Sequence, residues 1–204
     1  GIDLTFLPMP IEELFWRQGK YHEFDAAEFS FGAYLASVED PDWGFTALPV
    51  FPSRVFRHSA IYVHADSGIH NASDLAGRTV GTPEWSQTGS LWARGILGEH
   101  YGVDLRSVRW RTGGLQHAGR KEKSRVSPPP GFDVRPLADG KTLQQSLLDR
   151  EIDAIITARP PEAFATGHPA IRRLFADYRT EEGKYYEASR IFPIMHVLIV
   201  RNSL

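Results

Sequence analysis

Glu151–Ala158 reads EIDAIITA: an acidic residue, an apolar one and then Asp-Ala, placed where a helix hands over to a strand. The same order stands in the first half, where Glu23–Ser30 reads EFDAAEFS. Upstream of the second copy, VRPLADG leads through the helical KTLQQSLLDRE. Upstream of the first, a strand ending in FLPMP leads through a helix opened near Pro10, with Ile11, Leu14 and Phe15 on one face. Two strand–helix–strand units of one kind predict two similar α/β lobes. SAIYVH (59–64) would lead out of the first lobe and PIMHVLIVR (193–201) back into it. The expected division is 1–63 with 194–204 as lobe 1 and 64–193 as lobe 2, with a cleft between them for a small ligand.

The remaining elements follow from pattern and punctuation. Ile2–Leu7 reads as a short strand closed by Pro8 and Pro10, and a helix opens at Ser30. ALPVF (47–51) and SAIYVH read as buried strands. A helix capped by Asn71 or Ser73 stops at Gly77, the strand RTVGT follows, and the helix SLWARGILGEHYG ends near Gly102. VRWRTGG is a strand, and GLQHAGRKEKSRVSPPPGFD an exposed loop. HPAIRRLF reads as a short helix and IFPIMHVLIVR as the closing strand.

Composition bounds the function. The 204 residues carry 42% hydrophobic and 24% charged side chains, ordinary values for a globular protein. A formal net charge of -2 gives no global pull toward nucleic acid or anionic membrane, so anion recognition must come from local clusters. With no cysteine, disulfides, thiolate metal sites and a cysteine nucleophile are excluded. No apolar run approaches the roughly 20 residues of a membrane span. GIDLTFLPMP has no secretory pattern, so a cytoplasmic location is expected, or a periplasmic one for a trimmed carrier.

One cluster stands out. VFPSRVFRHSAIYV (50–63) puts Arg54, Arg57, His58 and Ser59 directly before an apolar run. It is either an anion site with a proton donor or a basic turn with a histidine packed beneath a strand. For Arg57 and His58 to face one cleft, 52–58 must be a loop, because a strand would send them to opposite faces. TPEWSQTGSLWARG offers Thr82, Ser86, Thr88, Gly89 and Ser90 before a helix, whose free N–H groups and positive dipole end favour an anion. Plain N-capping explains them equally well. Glu84 and Trp85 can reach a cleft, Trp85 as a stacking face, though a core tryptophan is the stronger reading. Arg159 follows the second Asp-Ala strand at its C-terminal end, where α/β sheets present ligands. His196 lies on the returning strand, expected beside His58. Two histidines alone do not make a metal site, and none is expected. His117 and the run RKEKSR read as a solvated loop face.

IDLTFLPMPIEELFWR, EFDAAEFSFGAYL, PVFPSRVFRHSAIYV, DLAGRTVGTPEWSQTGSLWARGIL, RWRTGG, EIDAIITARPP, RRLFADYR and IFPIMHVLIVR together resemble the 4,5-dihydroxyphthalate decarboxylase family. FPSRxFRHSAIY and FPIMH are the most specific parts of that resemblance. It implies a two-lobed fold like that of type 2 periplasmic binding proteins, and carboxy-lyase chemistry on an aromatic carboxylate without metal or other cofactor. Relatives carry a further strand before IDLTF and a helical segment after the final strand, so the chain is expected to be a fragment. On this reading Arg54, Arg57 and Arg159 hold carboxylates with Ser59, Thr82, Glu84, Trp85, Thr88 and Ser90 around them, and His58 or His196 protonates the ring. The rival is a solute-binding protein that captures an organic anion for a transporter. Pairing into a homo-oligomer stays open.

Overall fold

The computed structural model describes residues 1, 3–122 and 126–204. The chain divides into two compact units, Gly1–Arg54 with Ile194–Leu204, and Val55–Pro193. Residues 55–63, expected in the first lobe, therefore belong to the second unit.

The first unit holds a three-stranded sheet in the order β1 (Ala26–Ser30), β9 (Ile194–Arg201), β2 (Phe45–Arg54), with β9 antiparallel to both neighbours. Alternation along IMHVLIVR buries Met195, Val197 and Ile199 and turns the residues between them the other way. Helices α1 (Ile11–Tyr21) and α2 (Phe31–Ser37) belong to this unit. Leu14 and Phe15 of α1 and Phe31 and Tyr34 of α2 pack against a core of Ala27, Phe29, Trp43, Phe45, Val197 and Ile199. Ser30 caps α2, its hydroxyl accepting from the Ala33 N–H. Two sequence expectations fail in this unit. Asp3–Leu7 forms no strand, and Leu4, Phe6 and Leu7 are exposed, while Ile2 lies outside the described residues. ALPVF is a strand, but Leu48 and Val50 are exposed, because β2 is an edge strand whose register shifts between Leu48 and Ser53. An edge strand accommodates Pro49 and Pro52, which cannot donate to a ladder.

The second unit holds six strands in the order β6 (Asp133–Pro136), β5 (Arg109–Thr112), β4 (Thr79–Thr82), β7 (Ala154–Ile156), β3 (Ile61–His64), β8 (Ile171–Arg173). The first four run parallel, and β3 runs antiparallel to β7 and β8. β3 and β7 are buried throughout, as central strands covered on both faces are. One face packs Ile61, Val63, Val80, Leu97, Trp110, Ala154 and Ile156, the other Tyr62, Leu143, Leu147 and Ile155. Helices α3 (Thr88–Gly95, continuing as a π turn through His100), α4 (Leu143–Leu148), α5 (Glu162–Ala165) and α6 (Tyr178–Ser189) complete the unit.

The Asp-Ala echo has a structural counterpart: β1 and β7 each pair with the strand that runs against the rest of its own sheet, β9 and β3 respectively. HPAIRRLF corrects the sequence reading. Ile171, Leu174 and Phe175 have helical spacing, yet Ile171–Arg173 adds to the free edge of β3 as β8. The helix of this region lies later, as α6, capped by Asp177, whose carboxylate accepts from the Thr180 N–H.

Candidate functional site

In the second unit, the C-terminal ends of β4, β5 and β7 lie together, opposite the start of β3. Four segments therefore leave the sheet at one end: Arg57–Ala60 before β3, Thr82–Ser90 after β4, the loop from Gly113 after β5, and Thr157–Pro161 after β7. This is the end where parallel sheets present ligands.

The Thr82–Ser90 turn is stitched from within. Thr82 and Ser90 share a buried hydroxyl–hydroxyl hydrogen bond of 2.5 Å, and the Ser90 and Leu91 N–H groups both donate to the Gln87 carbonyl at 2.9 Å. These contacts start α3 without a side-chain cap at its N-terminus. Arg57 lies on that first turn. A Cβ added to Gly89 would stand 3.2 Å from both Cζ and Nε of Arg57, so glycine lets the guanidinium approach the turn more closely than a larger residue would. Burial lowers the Arg57 pKa below the usual guanidinium range, and the charge of Glu182 opposes the shift. Glu182 also lines a groove of about 430 Å³ with Phe56, Arg179, Tyr186 and Phe192.

Beneath the turn lies Arg94, 5% exposed, with its Cζ 3.6 Å over the Trp85 ring and Nη2 donating to the Trp85 carbonyl at 2.6 Å. Its Nη1 is buried without a hydrogen-bond partner. Desolvation pulls this guanidinium down to about 9, with the charge of Glu122 acting the other way. Above the turn, the post-β5 loop sends in Glu122. Its carboxylate accepts from the Trp85 N–H at 2.6 Å, from the Ser86 N–H at 3.4 Å and from the Ser86 hydroxyl. Arg120 of the same loop pairs with Glu84 at 2.6 Å. The loop read as a solvated face is thus docked through Arg120 and Glu122, although His117 is exposed as expected. Of the run RKEKSR, residues 123–125 lie outside the described residues.

His58 stands in a 3₁₀ turn before β3, and His196 on β9, in separate sheets. His58 is 1% exposed, enclosed by the rings of Tyr101, Phe175 and Tyr185 with centroids at 5.9, 5.4 and 5.6 Å, and neither ring nitrogen has a partner. Burial first, and the nearby His100 second, depress its pKa to about 4, while Glu181 opposes them. A neutral, enclosed imidazole is a poor acid at neutral pH, which weighs against His58 as the proton donor to the ring. His196 is partly accessible, with Nδ1 2.6 Å from Glu28 and its ring edge-on to Phe15, the pairing that orients an imidazole for proton transfer. Among the described residues, no three His, Asp or Glu side chains form a group that could hold a metal ion.

The other expected residues divide. Arg57, Thr82, Glu84, Thr88 and Ser90 stand at one end of one sheet, but Thr82 and Ser90 spend their hydroxyls on each other, and Glu84 is held by Arg120. Trp85 is core, with Arg94 on one face, so it offers no open stacking surface there. Ser59 works through its backbone, with N–H to Glu182 and C=O to Arg173 Nε at 3.2 Å. Arg159 is exposed just beyond β7. Arg54 ends β2 in the first unit, its guanidinium 5.0 Å from the Phe51 ring centroid, whereas Arg57 belongs to the second. Sequence reasoning missed Arg94 and Glu122. The available signal for Arg94 was an arginine four residues after Ser90, on the face of α3 that Ser90 and Ala93 bury. Nothing in the sequence marked Glu122.

No known family profile matches the chain. It is 38% identical over 204 residues to the 4,5-dihydroxyphthalate decarboxylase of Comamonas testosteroni, covering all of this chain and 62% of that protein. It is 35% identical over 188 residues to the protein of the same name in Pseudomonas putida, covering 92% of this chain and 73% of the relative. The chain thus spans about two thirds of the length of these relatives. Among solved structures it resembles the periplasmic aliphatic sulphonate binding protein SsuA of Escherichia coli, with a TM-score of 0.54 at 12% identity over 92% of this chain and 50% of that one. The alkanesulfonate-binding SsuA of Xanthomonas axonopodis pv. citri gives 0.51 at 12% identity, over 92% and 51%. At such identities the likeness concerns the fold alone: an α/β, periplasmic-binding-protein-like architecture.

Proposed function

Because the chain belongs to the 4,5-dihydroxyphthalate decarboxylase family, we propose that the protein removes one carboxylate of 4,5-dihydroxyphthalate as CO2 and leaves protocatechuate. The chemistry asks for few parts. Each carboxylate of this substrate has a hydroxyl para to it, which pushes electrons toward the carbon that bears the carboxylate. Protonation of that carbon, followed by heterolysis of the C–C bond, returns the electron pair to the ring and releases CO2. No electrons are exchanged with the protein, and one proton is consumed.

The observation that carries this reading is the Arg57 guanidinium laid on Gly89 at the first turn of α3. A planar fork at a helix N-terminus suits a planar carboxylate, through bidentate hydrogen bonds and the helix dipole together. Arg57 with the Trp85–Ser90 turn holds the carboxylate that stays, and the aromatic groove beside Phe56 and Tyr186 suits the ring. His196, whose ring is reachable and held by Glu28, is kept as the candidate general acid. Arg159 is kept as a contact for the departing carboxylate.

The test is direct. Purified protein is incubated with 4,5-dihydroxyphthalate, and protocatechuate and CO2 are measured in equal amounts. Binding without either product would turn the reading toward an anion carrier.

A further inference from the structure

The post-β5 loop carries its own carboxylate into the α3 turn. Glu122 takes two donors on one oxygen or its pair, the Trp85 and Ser86 N–H groups, and a third from the Ser86 hydroxyl. That is how a turn before a helix binds a free carboxylate. The surroundings are electropositive beyond the helix end: Arg94 lies nine-tenths buried under Trp85, with Nη1 lacking a partner, and its charge couples to Glu122. Glu122 itself is exposed, so it can leave the turn without opening a core.

Its loop is firmly rooted at one end. Leu115 is buried, and the Leu143 and Gln144 N–H groups donate to the Gly114 and Leu115 carbonyls at 2.8 and 3.1 Å. Gly114 admits no side chain, since a Cβ there would stand 1.6 Å from the His117 carbonyl oxygen. Further along, Arg120 clips the loop to Glu84. A carboxylate on a short, rooted tether has a high effective concentration at its docking point.

We propose that residues 114–122 form a self-inhibitory strap, in which Glu122 stands in for the carboxylate of an aromatic dicarboxylate and must be displaced before that ligand is held. The proposal rests on the reading of Trp85–Ser90 as a carboxylate cradle, and not on the decarboxylation step. A tethered competitor lowers apparent affinity by the fraction of molecules in which it is docked.

Phthalate, which lacks the hydroxyls that drive turnover, is the probe. By calorimetric titration, Glu122→Ala binds phthalate about tenfold or more tightly than wild type, and Ser86→Ala added to Glu122→Ala weakens it again. A second readout follows the strap itself: phthalate speeds tryptic cleavage after Arg120 and Lys121 in wild type, while Glu122→Ala is cut fast without it. Equal or weaker binding by Glu122→Ala, or protection of those bonds by phthalate, overturns the proposal. If phthalate binds none of these proteins, the cradle reading falls along with the strap. If it binds all of them, with Ser86→Ala weaker but Glu122→Ala no tighter, the cradle stands and the strap alone is refuted. Turnover of 4,5-dihydroxyphthalate is decided separately.

Discussion

Replacing His58 by Leu should flatten the acid limb of the stability profile. His58 is neutral in the folded chain, with a pKa of about 4 against an unperturbed 6.5, chiefly because burial disfavours its charged form. Below pH 6.5 the unfolded chain takes up a proton that the folded chain refuses, so stability falls with pH down to about 4 and levels off beneath it. At about 1.4 kcal/mol per pH unit, the gap is worth roughly 3 kcal/mol across that window. Leucine is of similar size and leaves no unpaired nitrogen among Tyr101, Phe175 and Tyr185, so at pH 7.5 the variant should match or exceed wild type. The measurement is the urea midpoint by near-UV circular dichroism at pH 7.5 and pH 4. With a slope near ~2 kcal/mol per molar urea, wild type should lose about 1.5 M more of its midpoint than the variant does. Parallel losses would mean that His58 is protonated in the folded state, and the account of it as an enclosed neutral ring would be wrong.

Gly89→Ala should raise helix propensity by up to about 1 kcal/mol in α3 but displace the Arg57 guanidinium by a few tenths of an ångström, giving an unchanged or higher melting temperature with weaker 4,5-dihydroxyphthalate binding. Normal binding would detach Arg57 from the site. Gly81→Ala should cost about 1–3 kcal/mol by overpacking, since its Cβ would meet Leu143 Cδ2 at 2.5 Å and Ile152 Cδ1 at 2.9 Å; thermal unfolding reads it out. His196→Gln should keep substrate binding and lower kcat by about a hundredfold or more, the usual worth of a general acid. Full turnover by that variant would remove His196 from the chemistry.

What was legible in the sequence were features that repeat within a few residues. The apolar run IMHVLIVR marked β9, the Asp-Ala hand-over marked β1 and β7, and Ser30 marked the start of α2. Features decided by distant partners stayed hidden. Ile171–Arg173 is a strand because β3 presents an edge to it, and Arg173 fixes it by donating to the Ser59 carbonyl. Helix α6 escaped notice because YRTEEGKYYEAS has no apolar stripe, with Tyr185 its one buried residue. At the site, residue types pointed to an anion, and Arg57 does meet the turn before α3. The meaning of His58 depends on three rings from 43 or more positions away, and that of Ser86 on Glu122, 36 positions on.

The central claim is that Arg57 on the α3 turn clamps a carboxylate of the substrate. Equilibrium titration of Arg57→Lys and wild type with 4,5-dihydroxyphthalate tests it most directly, because lysine keeps the charge and removes only the fork. The account predicts binding weaker by about tenfold or more, with the urea midpoint little changed. Equal affinity in the two proteins would contradict it.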